Sequence, residues 1–225
     1  MKTLLSVMVV GLASAALLVS CGNGSKASAS GPLGEIPALV GEFETLSDAK
    51  KAELQNGGDN AKDIIEEMKA AEEKFEAGMA SALEKIKGKE VTTEVDPELP
   101  LKVIKQMTIE DISASRKSVK LTGEMELTAT AIGFDSYEPI DAFELDELVA
   151  VCYGNDGKPF AYDGLLKDMA SEPMPAGSKV PVETHIRIKG YNAASMGNLS
   201  KLLITKKGSE LYKQAEAAAN TLKGR

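Results

Sequence analysis

The sequence contains no tryptophan, one histidine (His185) and two cysteines (Cys21 and Cys152). Each shortage removes a kind of chemistry. With aromatic residues at only 4%, faces on which sugar rings stack are scarce, which disfavours carbohydrate binding. A lone histidine cannot supply a two-imidazole zinc site. Two cysteines cannot build a disulfide framework once one of them is committed elsewhere. No run reaches the roughly 20 apolar residues of a membrane-spanning helix. Neither GxGxxG nor GxxxxGK[ST] follows a strand-like segment, so no cofactor or nucleotide loop is expected. Basic residues number 26 against 34 acidic ones, a formal charge of −8 with no dense Lys/Arg patch. Such a chain repels phosphate backbones, and no nucleic-acid partner is expected.

What is present begins at the N-terminus. Lys2 precedes a mostly apolar stretch, 4–18, broken by small Ser, Gly and Ala. It has the layout of a secretory signal and is too short to span a bilayer comfortably. It ends in Leu18, Val19, Ser20 and Cys21. This tetrapeptide resembles the lipobox of bacterial lipoproteins: an aliphatic residue, a tolerant position, a small residue, then Cys. The resemblance implies that Leu18, Val19 and Ser20 are read by the signal peptidase and that 1–20 is removed. It also implies that Cys21 carries diacylglycerol on its thiol and an acyl chain, such as palmitate, on its freed amino group. Gly22 and Asn23 follow rather than Asp, which by the same resemblance implies an outer-membrane destination, periplasmic or surface face left open. Loss of Lys2 leaves 25 basic residues against 34 acidic, a mature charge of −9.

Residues 21–34 (CGNGSKASASGPLG) are too rich in Gly, Ser and Ala to bury surface, and read as the lipidated Cys plus a flexible tether. The next region, 35–88, is expected to be helical. A short helix is expected to open near Ser47 and Asp48, with a break at 56–58. A longer one, 59–87, carries Ile64, Met68, Phe75, Met79, Ala82 and Ile86 on one stripe. That stripe fits cis packing, a helix from another chain or a membrane surface. From 89 to 207 the period changes to two. Val119, Leu121, Gly123, Met125 and Leu127 alternate with polar neighbours, as do Val180, Val182, Thr184, Ile186 and Ile188. Residues 145–153 are more continuously apolar, and Asn155-Asp156-Gly157 marks a hairpin. The strand rhythm, the 153–159 hairpin and the 175–178 turn before a strand resemble the immunoglobulin-like sandwiches of bacterial envelope lipoproteins, without the Cys–Trp–Cys signature. The expected fold is therefore α+β: an N-terminal amphipathic helical segment, an antiparallel immunoglobulin-like β-sandwich over 89–207, and a short C-terminal helix over 208–225.

Few residues invite catalysis. Cys152 lies in the apolar run 148–153 with no cation beside it, as expected of a buried core thiol. His185 stands on the polar side of its strand between Glu183 and Arg187, and no serine carries a nucleophile motif. The acidic stretch Asp135, Glu138, Asp141, Glu144, Asp146 and Glu147 lacks EF-hand spacing and reads as a solvated loop. The expected function is a non-catalytic, lipid-anchored envelope protein, held to the membrane at Cys21, that contacts an unknown protein through the amphipathic helix or the outer sheet face. Two alternatives stand beside it: an envelope protein binding a small molecule or ion through 133–147 and 163–178, and an envelope hydrolase without a recognisable motif.

Overall fold

The computed structural model describes residues 31–56, 60–132, 143–145, 147–167 and 172–224. Among them, seven strands close into a barrel in the order β1-β2-β3-β8-β7-β6-β9. These are β1 (Glu90–Val95), β2 (Leu101–Ser113), β3 (Ser118–Leu127), β6 (Leu148–Gly154), β7 (Pro159–Lys167), β8 (Lys179–Arg187) and β9 (Leu199–Lys206). The short β4 (Ala131–Ile132) and β5 (Phe143–Glu144) form a separate parallel pair. The helices are α1 (Ile36–Gln55), α2 (Ala61–Ile86), α3 (Gly190–Met196) and α4 (Glu210–Lys223). None of the helices is long and apolar enough to cross a membrane.

The immunoglobulin-like antiparallel sandwich is overturned by this closure. A sandwich consists of two separate sheets, whereas here two strands each belong to both halves. Glu90 and Val91 pair antiparallel with β2, while residues 92–95 pair parallel with β9. β7 likewise runs against β6 and then, from Leu165 to Lys167, against β8. Alternating strands look identical in a sandwich and in a barrel, so their rhythm could not separate the two. A bulge in β2 assists the curvature: the register slips between Lys105 and Thr108 opposite Gly123. A Cβ on Gly123 would stand 2.7 Å from the Met107 sulfur and 3.0 Å from the Lys105 carbonyl oxygen, so only glycine allows that approach.

The barrel interior is filled. Met107, Ile109, Leu121, Met125, Ile186 and Leu202 are all essentially inaccessible to solvent, as expected for a barrel this narrow. β6 is buried at all seven positions. Leu148, Ala150 and Cys152 belong to the main core, and Val149, Val151 and Tyr153 to a second cluster with Tyr212 and Ala215 of α4. That two-sided burial explains why 148–153 does not alternate. Cys152 is fully buried, and burial pushes its thiol up, so it is a packing residue and not a nucleophile.

The helices cover one barrel end and one wall. Leu33, Ile36 and Val40 join Met79, Ala82, Ile86 and Met196 in the core, and each of these but Ala82 contributes about 1.5–3 kcal/mol by leaving water. Residues 31–34, expected as part of a tether, belong to the folded body. A Cβ on Gly31 would come within 2.8 Å of the Gly197 carbonyl oxygen. α1 starts at Ile36, not near Ser47, because Pro37 sits at its first turn, where its fixed φ and missing N–H are tolerated. α2 keeps the expected stripe, burying Ile64, Phe75, Met79, Ala82 and Ile86. Asp63 in its first turn and Lys85 in its last complement the helix dipole. α4 is capped by Ser209, whose hydroxyl oxygen accepts the Tyr212 N–H at 3.1 Å.

Candidate functional site

α1 and α2 form an antiparallel hairpin whose base is fixed to the barrel. Within the hairpin, Glu35 pairs with Lys85 at 2.5 Å and the rings of Phe43 and Phe75 stack with centroids 4.4 Å apart. At the level of those rings Glu44 makes the joint to the barrel. Its Oε1 accepts from Lys117 Nζ at 2.7 Å and its Oε2 from the Gly190 N–H at the start of α3. Lys117 also lies over the Phe43 ring, 5.4 Å from its centroid. The backbone at Lys117 is left-handed (φ 51°), a conformation that glycine adopts more easily. The lysine side chain is what Glu44 requires there.

Burial pushes the Glu44 carboxyl up, but the hydrogen bonds from Lys117 and Gly190 and the charges of Lys117 and Lys189 outweigh it, so the net direction is down. A lowered folded-state value stabilises the ionised form. The contribution is complete above the unfolded value of about 4.5 and is lost as pH falls through the lower folded value. Glu44→Gln is expected to cost about 1–2 kcal/mol at pH 7 and to lose that deficit relative to the parent in acid. Urea unfolding at pH 7 and below pH 4 checks this; a deficit that stays constant with pH would contradict it.

Beyond Phe43 and Phe75 the hairpin projects roughly 18 Å past the joint, at 1.5 Å per residue. Ile64 is buried between the helices, and Lys50 Nζ bridges to Glu67 at 2.6 Å. On another side an apolar groove of about 430 Å³ opens between them, lined by Phe43, Leu46, Leu54, Ile65, Met68 and Ala71, with Lys69 and Glu72 alongside. Leu46 is 43% exposed and Ile65 47%. The stripe of α2 thus divides its work: the C-terminal part packs in cis on α1 and the barrel, and the N-terminal part leaves apolar surface in water.

A second concavity, about 540 Å³, lies where the β6–β7 hairpin meets the ends of α3 and α4. Asn155, Asp156, Lys158, Ser195 and Asn198 surround it over Phe160 and Leu222. The Asn155-Asp156-Gly157 turn forms as expected, with Gly157 at φ 75° and Asp156 Oδ1 accepting the Lys158 N–H.

The other sequence candidates do not converge. Leu18, Val19, Ser20 and Cys21 lie outside the described residues, as do Asp135, Glu138, Asp141 and Asp146. Glu147 pairs with Lys207 at 3.0 Å. His185 lies on the outer barrel face, its Nε2 2.7 Å from Glu183 Oε1, with Lys120 at 2.9 Å from the other oxygen. The hydrogen bonds from Lys120 and His185 hold the Glu183 carboxyl below its usual range. No group of three His, Cys, Asp or Glu side chains gathers for a metal among the described residues. Sequence reading missed Glu44, Lys117 and Asp163. Asp163, mostly buried, accepts the Arg187 N–H at 2.8 Å beside the Leu165–Lys167 pairing of β7 with β8, and burial pushes its carboxyl up. An acid inside an otherwise apolar strand was its only signal. No protein-family model, curated protein or solved structure matches the chain.

Proposed function

We propose that this is a non-catalytic, lipid-anchored protein of the cell envelope, attached through Cys21 to the outer membrane, that engages a protein partner through the α1–α2 hairpin. The observation that carries the interaction is the apolar groove at the projecting end. It leaves Leu46 and Ile65 in water while the barrel interior is packed with side chains. Water-exposed apolar surface on a projecting pair of helices is the chemistry of a contact site. The anchor rests on the lipobox resemblance and on the short segment between Cys21 and the folded body at residue 31.

A photoreactive residue at position 65 of the membrane-anchored protein is expected to give a discrete protein adduct. Adduct formation from a reactive group at Leu46 should fall about tenfold when Ile65→Glu places a charge in the groove. Because Ile65 is half exposed, that variant should keep its melting temperature. The absence of any adduct from either position would overturn the interaction. The small-molecule alternative is favoured by the cleft around Asn155 and Lys158; of the loops expected to serve it, 163–167 is part of β7 and 133–142 lies outside the described residues.

A further inference from the structure

We infer that the occupant of the hairpin groove is a second copy of this chain, docked groove to groove about a twofold axis. The inference deepens the interaction proposed above and rests on it.

Charge is the first argument. Most other lysines of the hairpin are paired: Lys50 with Glu53 and Glu67, Lys51 with Asp48, Lys85 with Glu35. Lys69 and Glu72 line the groove and form no ion pair among the described residues. They stand three residues apart on α2, one cation and one anion beside an apolar floor. A partner with a patch of one sign satisfies only one of them. A twofold axis satisfies both, because it sets Lys69 of each copy against Glu72 of the other, as an isologous interface requires.

Size is the second argument. A face about 18 Å long and two helices wide offers roughly 350 Å² per copy. A stable soluble pair needs about 800 Å² on each side. The groove therefore suits partners that already share a high local concentration. Copies anchored by the same lipid through the same short tether share one surface and hold their hairpins at one height, where effective concentrations reach the millimolar range. Leu46 and Ile65 of each copy would then cover one another.

The test uses the full chain in its own membrane. Ile65→Cys introduces a thiol into the groove, while Cys152 is buried and its thiol pushed up. A short bis-maleimide is expected to give a dimer at twice the chain mass. The parent protein and a Lys213→Cys control on the exposed face of α4 should give none. In the Ile65→Cys background, Lys69→Glu and Glu72→Lys should each lower the dimer about tenfold, because each sets like charges together twice. The double exchange should restore it, since the cation and anion have only traded places. Equal crosslinking in the Lys213→Cys control, or failure of the double exchange to restore the dimer, would overturn the inference. Adducts with other proteins alone would overturn the second copy and leave the interaction standing; no adduct of any kind would remove both.

Discussion

Cys21→Ser is expected to abolish incorporation of labelled fatty acid and, when 1–20 is replaced by an ordinary cleavable secretory leader, to move the protein from the membrane fraction to the soluble one. The expected effect is nearly complete. Each buried methylene of an acyl chain contributes about 0.8 kcal/mol, and more than one chain is needed for stable anchoring. None of the described helices is long and apolar enough to cross a membrane, and the chain is acidic overall. The body should melt at the same temperature as the parent, because its core begins at Leu33 and does not draw on the lipid. Membrane fractionation and fatty-acid labelling decide the matter. Undiminished label on the Cys21→Ser chain would mean that the address was misread.

Thr205→Val is expected to destabilise the fold by about 3 kcal/mol. Thr205 is fully buried, and its hydroxyl donates to Asp96 Oδ2 at 2.6 Å. A threonine has one hydroxyl proton, so the 2.9 Å contact to Ser209 Oγ is a bond donated by Ser209. Ser209 Oγ in turn accepts the Tyr212 N–H that opens α4. Asp96 follows the last residue of β1, the strand that closes the barrel, and its N–H donates to the Ile204 carbonyl at 2.8 Å. Three hydroxyl and carboxyl groups thus tie barrel closure to the cap of α4. Valine matches threonine in shape but strands an oxygen of the buried Asp96, which costs about 1–3 kcal/mol, and removes the acceptor of the half-buried Ser209 hydroxyl. Thr205→Ser keeps the hydroxyl and should cost about 1 kcal/mol for the lost methyl. A lowered urea midpoint with unchanged slope is the expected readout. A valine variant as stable as the parent would show that the relay does not hold the closure.

Much of the local structure was legible. The 3.6-residue stripe from Ile64 to Ile86 is a helix that buries Ile64, Phe75, Met79, Ala82 and Ile86 and leaves Met68 in the groove, and Val119 to Leu127 alternate as read. The start of α1 was not legible, because Pro37 and Gly41 look like breaks in a linear scan. In the structure Pro37 opens the helix and Gly41 lies against Ala193 of α3. α3 itself is seven residues long, too short for periodicity to register. Of the candidate site, Met68 was visible as part of a stripe, but a stripe does not disclose which of its turns lacks a cover. Glu44 and Lys117 lie 73 positions apart, and no local pattern announces such a pair.

The sequence by itself determined which faces are apolar, where the chain turns at Asn155-Asp156-Gly157, and that two cysteines permit one disulfide at most. The tertiary structure alone decided what those faces meet: that residues 92–95 pair with residues 201–204 of β9 and turn a sandwich-like rhythm into a barrel, that Leu33 is core and not tether, and that the groove between α1 and α2 stays open beyond Phe43 and Phe75. The reason is physical. Periodicity follows from the geometry of one element and its neighbouring residues. Closure, cover and exposure depend on contacts between residues far apart in the chain, whose partners no single segment specifies.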